Sequence, residues 1–243
     1  MEQTQDQPFE SVKFVNDGKH HVLLAASGSV ATIKLPDIAQ GLANSERVSI
    51  RIIVTQSAAR FLQGQNKEQP HLRELLSIEG VDGIYRDEDE WSPAWTRDAP
   101  ILHIELRRWA DVMLIAPLSA NTMAKMAGGI TDNLLLSVVR AWNTDLIRRC
   151  DGTMSRKRIY VAPAMNVHMW NHPVTSKHLK VLTEDWGVNV EGGWIEVISP
   201  IYKQLACGDE GFGAMEEWYK IVEILKEHLQ SDSLQPFISA QET

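Results

Sequence analysis

The sequence predicts a doubly wound α/β fold, a parallel sheet covered by helices on both faces. Two observations carry this. Its short strand-like runs are apolar throughout rather than alternating, the signature of strands buried on both sides. Segments of helical spacing separate those runs, the order expected when crossover helices join parallel strands. Size agrees. A chain of 243 residues, 44% apolar and 23% charged, has a globular balance. At that length about 70% of the unfolded chain's surface can be buried, so no disulfide or metal staple is required.

Taken in order, His21–Ala26 (HVLLAA) is an apolar run ending in Ser27-Gly28-Ser29 and reads as the first strand. Ile33–Asn44 has helical spacing. Val48–Thr55 (VSIRIIVT) is the second strand, and Ser57–Gln63 begins a helix. Ile101–Leu106 (ILHIEL) reads as extended, which would put His103 and Glu105 on one face. Val112–Pro117 is the third strand. Ala120–Met126 and Asn133–Trp142 are helical. Arg158–Pro163 (RIYVAP) is the fourth strand, and Pro173–Trp186 and Tyr219–Gln230 are helices. Residues 1–18 read as a polar arm, 19–230 as one domain and 231–243 as a polar tail.

Composition excludes several functions. The net charge of -8 argues against general nucleic-acid or anionic-membrane binding, which needs a basic footprint. Two cysteines, Cys150 and Cys207, exclude a disulfide framework and leave no metal site of their own. No apolar stretch is long enough to span a membrane. The opening MEQTQDQPFESVKF lacks the apolar region of a signal peptide, so the cytoplasm is the expected location.

Ligands of a doubly wound sheet bind at the carboxyl ends of its strands. Three turns there are rich in small and hydroxyl residues: Gly28-Ser29-Val30, Thr55-Gln56-Ser57 and Ser119-Ala120-Asn121-Thr122. Each alone suits a helix cap. Together at one edge they suit a phosphorylated cofactor held by neutral donors, with backbone dipoles replacing Lys and Arg. Neither GxGxxG nor a P-loop is present.

Three further segments carry chemistry. Asn166 follows the fourth strand in Ala162-Pro163-Ala164-Met165-Asn166, either as a cap or as an amide in a pocket. His103 sits among apolar residues with Arg107, Arg108 and Trp109 after it, and is either packed or a base. Cys207 lies in Ala206-Cys207-Gly208-Asp209-Glu210-Gly211-Phe212-Gly213. Its glycines predict a mobile loop, and a cysteine outside packed apolar surroundings favours reactivity. Cys150 has basic neighbours but no chemical partner near it in sequence.

The segments HVLLAASGSVATIKLPDI, ILHIELRRWADVMLIAPLSANTMAKMAGGITDNLL, YVAPAMNVHMW and LACGDEGFGAM closely resemble the homo-oligomeric flavin-containing cysteine decarboxylases. The resemblance spans about residues 20–230. It implies a flavodoxin-like Rossmann fold of three layers, a homotrimer, and FMN near the subunit interface. By that pattern Gly28, Ser29, Val30, Thr55, Ser57, Ser119, Ala120, Asn121 and Thr122 hold FMN, and Ala164 lies against the flavin. His103 matches the essential histidine, Asn166 the substrate-clamping asparagine, Cys207 the flap cysteine, and Arg108 the arginine downstream of the histidine. Lys203 is expected at the substrate phosphate.

The implied reaction is the FMN-dependent decarboxylation of 4′-phosphopantothenoylcysteine to 4′-phosphopantetheine in coenzyme A biosynthesis. Direct loss of CO2 would leave an unstabilised carbanion, so the cofactor supplies the electron sink. A temporary oxidation to a thioaldehyde lets CO2 leave, and Cys207 protonates the product as the hydride returns. Departures from the pattern are the long Arg-rich stretch 145–157 and the extended arm. The competing implication is an inhibitory subunit of a type 1 serine/threonine phosphatase, the role of some fungal relatives with long acidic tails. Here residues 231–243 hold only Asp232 and Glu242 as acids, which favours the enzyme.

Overall fold

In the computed structural model the described residues are 9–15, 17–45, 47–91, 94–148 and 154–231. Cys150, the first eight residues of the arm and the tail beyond Ser231 lie outside them. Six strands form the central sheet: β1 (His20–Ala26), β2 (Val48–Val54), β3 (Val81–Tyr85), β4 (Val112–Leu118), β5 (Arg158–Pro163) and β6 (Ile195–Val197). Their order is β3-β2-β1-β4-β5-β6, and every neighbouring pair is parallel. This is a flavodoxin-like Rossmann arrangement. The chain winds one way from β1 and then the other, which leaves a crevice between β1 and β4 at their carboxyl ends.

The apolar runs serve both faces at once. Because side chains alternate along a strand, Val22 and Leu24 of β1 point to one core and Leu23 and Ala25 to the other. The first core packs against α1 (Leu35–Ala43), through Leu35, Ile38 and Leu42, and against α9 (Trp218–Ser231), through Ile221 and Leu225. The second packs against α4 (Leu102–Trp109) and α6 (Leu134–Arg140), through Leu106, Trp109, Leu135 and Val138. Each such fully buried aliphatic side chain contributes about 1.5–3 kcal/mol. Three layers result.

Four strands match the sequence reading closely, and the helices after them largely do. Ile101–Leu106 does not. Residues 102–109 form α4, and Glu105, Leu106 and Trp109 make its buried face. The alternation ILHIEL is too short to separate the two periods, and the helical repeat completes only at Trp109. His103 and Glu105 therefore do not share a strand face. The helix expected from Ser57 is only α2 (Gln56–Ala59), followed by a small hairpin of Gln63–Asn66 with Gln69–His71. Pro173–Trp186 divides into α8 (Pro173–Lys180) and one wider helical turn, Val181–Asp185.

Two contacts anchor α4. Ser11–Phe14 in the arm forms a single 3-10 turn. The Ser11 amide and hydroxyl both donate to Glu105 Oε2, at 2.7 Å each. At the other end the buried Lys157 Nζ donates to the carbonyls of Arg107, Arg108 and Ala110, at 3.3, 3.1 and 2.6 Å. These are carbonyls a helix end leaves unpaired. Burial pushes the Lys157 ammonium down to about 8, against an opposing pull from Asp111.

Candidate active site

The three hydroxyl turns meet at the crevice. They follow β1, β2 and β4, which are adjacent in the sheet. Ser27 joins the first to the third: its Oγ donates to Pro117 O at 3.0 Å and accepts from Ser119 N at 2.8 Å. Gly28 joins the first to the second. A Cβ there would lie 2.5 Å from Ser57 Oγ, so only glycine allows these turns to touch.

Each turn caps its own helix, as the sequence allowed. Ser29 Oγ accepts from Ala31 N and Thr55 Oγ1 from Ala58 N. Ser119 Oγ accepts from Thr122 N at the start of α5 (Ala120–Ala127). Capping uses a hydroxyl as acceptor and leaves its proton to donate. Ser29 keeps that proton. Thr55 and Ser57 share one bond of 3.2 Å, so one of their two protons remains. Ser119 donates to Thr122 Oγ1 at 3.1 Å, so the Thr122 proton remains. Capping is thus compatible with a set of free hydroxyl donors at the crevice. Neutral donors from three turns suit a phosphorylated polyol. The buried Ala164, whose amide donates to Leu118 O at 2.9 Å, adds a small apolar surface after β5 for a flat ring. This donor set fits FMN.

Beyond β5 lies the second part of the site. Asn166 caps α7 (Val167–Trp170), its Oδ1 accepting from His168 N at 2.7 Å. Its amide nitrogen meanwhile reaches a hairpin made by β7 (Ile201–Gln204) and β8 (Glu210–Ala214). There Nδ2 donates to Asp209 Oδ2 at 2.6 Å and contacts Cys207 Sγ at 3.2 Å. The Cys207 thiol donates to the same Asp209 oxygen at 3.3 Å. Hydrogen bonds from Asn166, then from Cys207, hold the Asp209 carboxyl below its ordinary 3.8. Asn166 is therefore a cap whose amide also faces a thiol.

Two glycines of this loop also serve close packing. A Cβ on Gly211 would lie 2.4 Å from Val167 Cγ2, and one on Gly213 2.5 Å from Met165 O. Both glycines let β8 lie flat against the Asn166 turn, where Met165 N donates to Gly213 O at 2.9 Å. Only Gly208, with φ +91° and open space around it, serves the turn itself.

His103 belongs to a different cluster. Its Nδ1 lies 2.7 Å from Glu90 Oε1, at the end of α3 (Asp87–Glu90). The packing of α4 runs to α6, α3 and the arm, whereas the hairpin packs on α7. Arg108 pairs with Glu105 at 3.0 Å, and Lys203 with Glu217 at 2.9 Å. Sequence reading did not single out Ser27, Glu90 or Asp209, which the fold places against candidate residues. Ser27 was visible in its turn, but the two acids gain meaning only through tertiary neighbours. Among the described residues no group of three or more His, Cys, Asp or Glu is placed to hold a metal, and no helix is long and apolar enough to cross a membrane.

A doubly wound sheet whose switch-point turns offer neutral donors to a phosphorylated, ring-bearing cofactor defines the flavin-binding class of this architecture. Comparison with known proteins gives the family within that class. The Flavoprotein family profile matches residues 11–230, and the chain belongs to that family. A probable phosphopantothenoylcysteine decarboxylase of Arabidopsis thaliana is 46% identical over 200 residues, covering 82% of this chain and 83% of that one. A solved mutant PPC decarboxylase complexed with pantothenoylaminoethenethiol aligns with TM-score 0.68 and 42% identity over 87% of this chain and 99% of that one. The solved FMN-binding protein AtHal3 aligns with TM-score 0.67 and 45% identity over 88% and 98%. Several fungal relatives are much longer, and the chain spans only 31–35% of their length.

Proposed function

We propose that this chain is an FMN-dependent decarboxylase of 4′-phosphopantothenoylcysteine, acting in coenzyme A biosynthesis. The observation that carries the reading is the Asn166 amide, which meets a thiol and a carboxylate on a hairpin beside the flavin-type crevice. The similarity to decarboxylases over most of both chains supports the same reaction.

Gly28, Ser29, Val30, Thr55, Ser57, Ser119, Ala120, Asn121 and Thr122 would hold FMN, with Ala164 against the ring. The chemistry FMN supplies when bound is a temporary two-electron oxidation of the cysteine moiety, which delocalises the charge left by CO2. Asn166 grips the substrate carboxylate through its amide donors. Cys207 holds the proton that the product takes up, and Asp209 keeps thiol and amide together until substrate arrives. His103 serves as base or electrostatic partner at the reacting carbon, and Arg108 steadies its surroundings. Lys203 would meet the substrate phosphate by leaving Glu217. The hairpin excludes water from the reactive intermediate.

His103 and Asn166 have different hydrogen-bond partners, Glu90 for one and Asp209 with Cys207 for the other, and the resemblance supports a homotrimer whose sites draw on more than one subunit. The particle then has about three times the 27.4 kDa chain mass in size-exclusion chromatography with light scattering.

Purified protein is expected to be yellow and to release FMN on denaturation. Supplied with 4′-phosphopantothenoylcysteine it yields CO2 and 4′-phosphopantetheine. Cys207→Ser releases CO2 but accumulates the enethiol, read by mass spectrometry. A folded, colourless protein that does not take up added FMN would sink the reading. Normal turnover by Cys207→Ser would remove the role given to Cys207.

A further inference from the structure

We propose that Glu90 is a positioning residue for His103: it fixes the imidazole as the Nδ1–H tautomer and so presents Nε2 as the working nitrogen. The inference rests on the reading of His103 as part of the site and adds a second residue to it.

The geometry is specific. Glu90 Oε1 lies 2.7 Å from His103 Nδ1, and the Glu90 side chain is only 3% exposed. Its other oxygen, Oε2, is buried and has no hydrogen-bond partner among the described residues. A buried carboxylate normally gathers several donors, because each unpaired polar atom is costly away from water. Here one imidazole is the compensating group. A carboxylate kept for fold stability alone is poorly served by this arrangement.

The proton's position follows from the hydrogen-bonding roles of the two groups. A carboxylate oxygen only accepts, so the nitrogen facing Oε1 at 2.7 Å carries the hydrogen and donates to it. His103 keeps 24% of its side chain exposed. With Nδ1 taken, Nε2 is the nitrogen left to meet substrate. A carboxylate that orients the base of a reacting pair has this same logic wherever it occurs.

Glu90 is also held firmly enough to serve. It ends α3, whose first residue, Asp87, accepts from Leu134 N at 2.9 Å at the start of α6. Arg86 N donates to Asp89 Oδ2 at 2.7 Å. The short acidic helix is therefore pinned at its opening turn and by its contact with α6. It delivers Glu90 to α4 from a fixed base, whereas a free loop could not fix a ring's orientation.

The test uses FMN-loaded protein labelled with 15N in its eight histidines. His103 is assigned by the signals that His103→Gln removes. The expected result is an Nδ1–H imidazole in the parent protein, and a mixed or reversed tautomer in Glu90→Gln. In steady-state assays Glu90→Gln is expected to lower kcat about 10- to 100-fold, the usual cost of losing an orienting partner, with KM little changed. An Nε2–H tautomer in the parent protein overturns the inference without any variant. So does a Glu90→Gln protein with unaltered tautomer and kcat. Full turnover by His103→Gln is a different failure, since it removes His103 from the reaction while the tautomer result still reports on Glu90.

Discussion

Two carboxylates each hold a candidate site residue, and they do so in opposite ways. Glu90 is buried, has one partner and sits on a helix pinned to two others. Asp209 is only partly buried, holds the Asn166 amide and the Cys207 thiol on one oxygen, and sits at the tip of a hairpin. A buried hydrogen-bonded pair is strong and resists separation, while an exposed one competes with water and separates readily. The contrast fits the tasks proposed for His103 and Cys207. An imidazole that acts on substrate must already point the right way. A thiol that must reach a product as the site closes has to be held loosely enough to leave. On that reading, rigidity and release are divided between two parts of one chain.

If α4 is the rigid half, its anchors carry much of the fold. Lys157→Met is expected to give the largest effect. It leaves the carbonyls of Arg107, Arg108 and Ala110 without their shared donor and Asp111 without its cation. Breaking a buried ionic set in this way costs about 3–5 kcal/mol, readable by denaturant unfolding. The pH dependence has a definite sign. The Lys157 pKa falls from 10.5 to about 8 on folding, so the unfolded chain holds more protons between those values. Stability contributed at this position rises as pH climbs through that window. The advantage of the parent protein over Lys157→Met should therefore widen between pH 8 and 10. A gap that narrows there would show that the ammonium is favoured in the fold and that burial does not dominate.

The hairpin half should respond to backbone changes in a graded manner. Gly213→Ala places a Cβ 2.5 Å from Met165 O at φ +127°, so β8 must move from the Asn166 turn. Such strain costs about 1–3 kcal/mol. Gly208→Ala, at φ +91° in open space, costs only the left-handed penalty of about 1 kcal/mol. Thermal unfolding of the two variants should rank them in that order. Equal losses would mean that β8 is not seated against Met165 and that the whole hairpin is loose.

The sequence revealed these halves unequally. β1, β2, β4 and β5 were legible because strands buried on both faces carry unbroken apolar runs, a signal that does not depend on neighbours. Their turns were legible too, since Ser29, Thr55, Ser119 and Asn166 follow them and cap what comes next. β3 and β6 were not, being a five-residue edge strand with a glycine inside it and a three-residue one. α4 was misread because six residues of ILHIEL satisfy a period of two as well as they satisfy the start of a helix. Glu90 and Asp209 were unreadable for another reason. DEDE looks like a solvated charge run, and the acid in CGDEG looks like a turn residue. Only the fold brings one to an imidazole and the other to a thiol.

The smallest effect tests release itself. Asn166 first and Cys207 second hold the Asp209 carboxyl below 3.8, while His168 acts on it only as a weaker charge. A folded-state pKa below the unfolded value gives a contribution that is complete above about 3.8 and lost as pH falls through the lower folded value. The contact should therefore stay unchanged between pH 5 and 8, and the working hairpin should not sense pH in that range. The Asn166 side-chain amide signals, followed by 15N–1H NMR, are expected to hold still from pH 8 to 5 and to move only in acid. Asp209→Asn, which keeps an acceptor oxygen, should abolish the acid movement while leaving the neutral spectrum close to the parent. Movement of those signals near neutral pH would mean that a group other than Asp209 governs how the thiol is held. Release would then be triggered by protonation, not by the arrival of substrate.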